Sequence, residues 1–141
     1  MSSGALNFVQ AKPIISRAMS NLTASPEAYL QSAVLSATPG ELIVMLYDGA
    51  KRFLRQATVA MRAGEIERAH NTLRRGEMII AHLDGTLDYD QGQLPERLHA
   101  IYQFCLTHLN GGRMAQDPTK LEEVSHLLGE LREAWAEVAR A

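Results

Sequence analysis

The sequence predicts an all-α protein: an antiparallel up-down-up-down four-helix bundle preceded by a flexible N-terminal segment. Three observations predict it. Apolar residues recur at steps of three and four in four separate stretches, the period of one helix face. Those stretches run for about 16–24 residues each and are joined by short links, which makes antiparallel neighbours the default arrangement. No strand-like alternation of any length and no internal repeat accompanies them.

The first helix has the plainest start. Thr38 is a good N-cap, Pro39 suits the first helical position, and Glu41 completes a capping box three residues after Thr38. The helix should run from about Pro39 to about Arg62, with Leu42, Met45, Leu46, Gly49, Phe53 and Ala57 on its stripe and Ala63-Gly64 at its end. The second should run from about Glu65 to about Leu83. Its seam is Ile66, Ala69, Leu73, Gly76, Ile80 and Leu83, continuing to Leu87, with Gly76 marking close approach of another helix. After a polar connection, 84–92, the third should run from about Leu94 to about Asn110. Leu94, Leu98, Ile101, Cys105 and Leu109 form its stripe, and Gly111-Gly112 is its expected stop. Asp117-Pro118 starts the fourth as N-cap and first helical residue, ahead of a seam of Leu121, Val124, Leu128, Leu131, Trp135 and Val138.

Two units follow: a flexible leader, 1–28, and a bundle domain, 29–141. The leader carries a broken apolar series interrupted by Pro13, and reads as a poorly ordered end or as a segment lying over the bundle when no partner is bound. Met19 is an alternative start. Residues 28–37 read as a short helix or as extended chain.

A chain of 141 residues, 46% of them apolar, can build one real core. The net charge of −2 sets up no field toward nucleic acid or anionic lipid. The basic clusters, Lys51-Arg52 with Arg55 and Arg74-Arg75, are interleaved with acids and read as solvated helix faces. A single cysteine, Cys105, excludes an internal disulfide and fits a reducing compartment. No apolar run approaches the ~20 residues of a membrane span, and the start of the chain lacks the pattern of a signal peptide. A cytoplasmic protein without membrane insertion is expected.

Chemistry is sparse. Glu67/His70, Glu96/His99 and Glu123/His126 have the Glu-x-x-His spacing of carboxylate-bridged di-iron bundles. At ~100° per residue, however, these pairs fall mostly on the outer faces, so the spacing predicts no metal site. Asp88-x-Asp90-x-Gly92 fails as a calcium loop, because position six would be Gln93 and position twelve His99. Cys105 lies on an apolar stripe and reads as core. No phosphate loop, nucleophile elbow or Cys-x-x-Cys pair is present. No catalytic residue, cofactor or metal is expected.

Surplus apolar residues carry the signal instead. Val44 and Tyr47 lie roughly 130–170° from the first helix's stripe, with Ile43 on its flank. Met78 is nearly opposite the second stripe and Ile79 is on its flank; Tyr102, Phe104 and Leu106 flank the third. An outward apolar patch usually marks a binding surface, and an amphipathic helix laid into a groove is its natural occupant. On this reading a charge at Tyr47 weakens partner binding more than folding.

The same residues resemble the flagellar secretion chaperone family FliS. Members look like Ala-Tyr-x-x-x-x-Val, then Ala-(Ser/Thr)-Pro-Gly-Glu-Leu, then Met-Leu-Tyr-(Asp/Asn)-Gly. Here these are Ala28-Tyr29 with Val34, Ala37-Thr38-Pro39-Gly40-Glu41-Leu42, and Met45-Leu46-Tyr47-Asp48-Gly49. Two later stretches also match, Ile79-Ile80-Ala81-His82-Leu83 running on to Thr86-Leu87, and Leu131-Arg132-Glu133-Ala134-Trp135. The resemblance implies a non-enzymatic export chaperone. It would bind the C-terminal helical segment of flagellin, prevent premature polymerisation and deliver the subunit to the flagellar export gate. It also implies that the segment before the first helix, with Tyr29, Leu30 and Val34, folds over the binding surface in the absence of flagellin.

The expected partner-binding residues are therefore Tyr29, Leu30, Val34, Ile43, Val44, Tyr47, Met78, Ile79, Tyr102 and Leu106. Two other classes compete with this reading. One is a structural bundle that homodimerises through a Val44/Tyr47/Met78 face when flagellin is absent. The other is a carboxylate/His metal bundle enzyme.

Overall fold

The computed structural model describes Ala33 and residues 35–140. The expected leader, Met19, and the candidates Tyr29, Leu30 and Val34 lie outside the described residues. Among the described residues the chain forms four long helices: α1 (Pro39–Arg62), α2 (Ile66–Gly85), α3 (Leu94–Ala115) and α4 (Pro118–Arg140). They pack as a four-membered ring, α1 against α2 and α4, and α3 against the same two neighbours. With three residues linking α1 to α2 and two linking α3 to α4, each such pair must run antiparallel.

Local chemistry sets the helix starts. The Glu41 N–H donates to Thr38 Oγ1 at 3.2 Å, and the Thr38 N–H donates to Glu41 Oε1 at 2.8 Å, so the capping box at α1 is complete. At α4, Asp117 Oδ1 accepts from the Thr119 N–H at 3.0 Å. Gly64, at φ 76°, turns the chain from α1 into α2.

One boundary differs from expectation. Gly111-Gly112 does not stop α3, which continues to Ala115 and ends at Gln116 in the left-handed region, φ 51°. Gly112 serves close approach instead. A Cβ there would stand 2.7 Å from Leu121 Cδ1 and 3.2 Å from the Asp117 carbonyl oxygen, so only glycine lets α4 leave so tightly from α3. Gly76 plays the expected part between α2 and α1. A Cβ on it would meet Phe53 Cβ, Leu54 Cδ2 and the Ala50 carbonyl oxygen at 3.3–3.5 Å.

The core draws on all four helices, with Leu42, Leu46, Phe53, Leu73, Ile80, Leu83, Leu98, Leu109, Leu121, Val124, Leu128 and Trp135 buried. The seams fray at their ends. The spacing puts Ile66, Leu94 and Val138 on them, yet all three stay about half exposed, because the terminal turn of a bundle helix has no further layer to cover it.

Candidate partner-binding groove

α1 is where the side chains depart from the sequence reading. Its buried residues include Leu42, Ile43, Leu46, Tyr47, Ala50, Leu54, Ala57, Thr58 and Met61, an arc of roughly 180° at ~100° per residue. The expected stripe captures one side of that arc only. Three helices surround α1's inner side, so residues that fall far from the Leu42/Leu46/Phe53 line still point at a neighbour.

Four of the expected partner-binding residues are consequently core. Ile43, Tyr47 and Tyr102 are fully buried, and Ile79 is 2% exposed. Tyr47 is the sharpest correction. Its hydroxyl is 2.7 Å from that of Tyr102 on α3, and it also accepts from the indole N–H of Trp135 on α4. One hydrogen-bonded node thus ties α1, α3 and α4 together in the interior, which is how two phenols tolerate full burial. Burial pushes the Tyr47 hydroxyl up to about 12, from an ordinary 10.0, and raises Tyr102 as well. It likewise pushes the Cys105 thiol up to about 11, so this buried cysteine stays protonated at neutral pH. A charge at Tyr47 should accordingly unfold the protein rather than spare it.

The remaining described candidates are Val44, Met78 and Leu106. Met78 is 47% exposed on α2, while Val44 and Leu106 are half-buried against the core. With Tyr47 inside, Val44, Tyr47 and Met78 do not make one continuous outer face.

Val44 opens onto a cleft of about 460 Å³, lined by Ala33, Ala37, Glu41, Val44, Met45, Arg132 and Ala136. The start of α1 and the end of α4 form its walls, and Ala33 and Ala37 close one side. Met45, placed by its spacing among the core residues, is half-buried and faces this cleft. Ala33 and Ala37 carry a helical i, i+4 spacing that could have flagged them; Arg132 stands in the Leu131–Trp135 string, but neither it nor Ala136 is assigned to a cleft by that string, and both reach it through the α1–α4 register.

Past the cleft, two acid–base bridges cross from α1 to α4. Arg132 donates from Nε and Nη2 to the two carboxylate oxygens of Asp48 at 3.0 and 3.4 Å. Arg62 donates to both oxygens of Glu122 at 2.8 and 3.0 Å, which holds the Glu122 carboxyl below its ordinary value. Between them, a second cleft of about 290 Å³ is lined by Lys51, Arg55, Thr58, Glu122, Ser125 and His126.

The Glu-x-x-His pairs do not act as pairs. His99 bonds Asp84 at 2.6 Å, Glu123 bonds His108 at 2.6 Å, His126 approaches Glu130, and His70 accepts from Arg113. Among the described residues no three His, Cys, Asp or Glu side chains converge as a metal site would require, and no helix is long and apolar enough to cross a membrane.

Among the described residues, two clefts lie along the α1–α4 groove. Comparison with known proteins sets the class as chaperones of flagellar secretion. The family model described as "Flagellar protein FliS" matches residues 20–141, and the chain belongs to the FliS family. It is 32% identical over 114 residues to the flagellar secretion chaperone FliS of Bacillus subtilis, covering 81% of this chain and 85% of that protein. It is 30% identical over 122 residues to the Salmonella typhimurium chaperone, covering 85% and 90%, and 33% identical over 112 residues to that of Campylobacter jejuni, covering 79% and 88%.

Proposed function

We propose that this chain is a cytoplasmic, non-enzymatic chaperone that binds the C-terminal helical segment of flagellin, keeps it from polymerising prematurely and hands it to the flagellar export gate. Within a family of flagellar secretion chaperones, the observation that supports this reading best is the cleft at Val44. Its floor is half-buried and largely apolar, and one of its walls is the segment just before α1, through Ala33 and Ala37. A groove built this way can be covered in turn by the chain's own leading segment, with Tyr29, Leu30 and Val34, and by a partner helix. Val44, Met78 and Leu106 are the described residues proposed for contact. Ile43, Tyr47, Ile79 and Tyr102, being core, hold the helices together and are not proposed for contact.

Energetics favour a long contact. A segment that orders only on binding loses conformational entropy, so affinity must come from extensive apolar burial, at ~25 cal/mol per Å² before those costs. Release at the export gate requires no covalent or metal bond to be broken.

Isothermal titration of the full chain with the C-terminal segment of flagellin from the same organism tests the proposal. Saturable binding at micromolar concentration or tighter is expected; no heat and no pull-down at that concentration would sink it. Light scattering with and without that segment tests for a homodimer of the free chaperone.

A further inference from the structure

The α1–α4 groove carries an unmatched charge. Its antiparallel register sets Asp48 against Arg132 and, at the far end, Arg62 against Glu122, and both pairs are closed by two hydrogen bonds. Between these bridges the facing positions do not pair. Lys51 lies across Gly129, where a Cβ would stand only 2.9 Å from Lys51 Nζ. Arg55 shares its cleft with Ser125 and His126. Glu122 lines the same cleft, but its carboxylate is engaged by Arg62. His126 reaches Glu130 along its own helix at 3.6 Å, and the Thr58 hydroxyl donates to the Leu54 carbonyl oxygen at 2.8 Å. Among the described residues no carboxylate pairs with Lys51 or Arg55. Lys51 is half-buried, with its ammonium over Gly129.

We propose that Lys51 and Arg55 form a carboxylate-receiving subsite of the partner groove, rather than the purely solvated face that interleaved charges suggest. An Asp or Glu of the bound segment seats between them while an apolar side chain fills the Val44 cleft. The inference rests on the chaperone reading and adds a recognition rule to it. The two clefts follow one another along the α1–α4 seam, with the Arg132–Asp48 bridge standing between them. Lys51 and Arg55 lie about 10–16 Å beyond Val44 along α1, at ~1.5 Å per residue. The carboxylate therefore follows or precedes its apolar anchor by two to three helical turns. The Gly129 position supplies the room: a side chain there would push Lys51 out of the groove.

The test is a double-mutant cycle by isothermal titration. The full chain and its Lys51→Gln/Arg55→Gln variant are titrated with a synthetic peptide covering the C-terminal helical segment of the organism's flagellin. The peptide's acidic residues are changed to their amides one at a time, and each titration is run at low and high salt. The double variant should bind about tenfold more weakly, the scale of one lost charge-assisted contact, and lose most of its salt dependence. One amide substitution in the peptide should produce the same loss and add nothing to the double variant. Equal affinity of wild type and variant overturns the subsite and leaves the chaperone reading standing. No binding by the wild type overturns both. Circular dichroism melting checks the fold; should the double variant melt early, Arg55→Gln alone, at an exposed position, carries the same comparison.

Discussion

α1 and α3 occupy opposite corners of one bundle and touch the same two neighbours, but they are held by different means. α1 runs close along α2 and α4, because small residues let the backbones approach: Ala50, Ala57 and Ala60 on α1, with Ala69 and Gly76 on α2, are all buried. α3 meets those neighbours at fewer points and through larger side chains, with Leu98, Tyr102 and Leu109 filling the gap. Its outer side keeps Phe104 54% and Met114 79% exposed. Polar ties complete its attachment: Arg113 to Glu77, His99 to Asp84, His108 to Glu123, and the Tyr102–Tyr47 node. Close backbone packing leaves α1 little freedom of position. Side-chain packing at a larger separation makes α3 depend on a few specific contacts, the tyrosine node above all.

That contrast can be broken most severely at the node. Tyr47→Asp should abolish folding, since it places an unpaired carboxylate in the core and strands two donors; circular dichroism would show loss of the native helical signal. Trp135→Ala should cost about 3–5 kcal/mol in urea unfolding, from cavity and lost node together. Gly76→Leu attacks the α1 side instead. The neighbours of its Cβ position include backbone of α1, so overpacking should cost about 1–3 kcal/mol.

Conservative changes sharpen the comparison. Tyr47→Phe should cost more than Tyr102→Phe, because it deprives both Trp135 and Tyr102 of a partner, whereas Tyr102→Phe leaves Tyr47 still bonded to Trp135; each loss is of order 1–3 kcal/mol. The node also sets an alkaline limit. Both phenols titrate higher in the folded chain than unfolded, so the unfolded state releases its protons first as pH rises. Their contribution is intact below pH 10.0, the ordinary tyrosine value, and is lost as pH climbs toward about 12, the folded value for Tyr47. Urea midpoints should fall across that window, and the Tyr47→Phe/Tyr102→Phe variant should flatten the fall. The smallest effect belongs to the outer side of α3, where Phe104→Ser should shift stability by no more than about 0.5 kcal/mol.

Much of this architecture is legible in the sequence, for local reasons. Thr38, Pro39 and Glu41 act within one turn, so the start of α1 needs no tertiary knowledge. The Ala69–Leu83 seam repeats so regularly that most of α2's inner face follows from spacing, although Ile79 beside it is buried too. Met78 stands outside that seam and is exposed. The family motifs also survive as linear strings, which is why membership could be expected from Ala37–Leu42 and Met45–Gly49 before any fold was known. Gly111-Gly112 shows where local rules fall short. As a string it reads as a stop, but Gly112 is required by the approach of Leu121, a residue of the next helix.

By itself, then, the sequence determined four amphipathic helices, their antiparallel order, the capped starts of α1 and α4, and the family. Tertiary structure alone decided how far round each helix the core extends. Periodicity records which residues are apolar but not how many neighbours a helix has, and α1 has neighbours over half its circumference. That difference moved Tyr47 from an imagined outer face to the centre of the molecule. It also gave Val44, Lys51 and Arg55 their place along a groove that exists only where α1 and α4 meet.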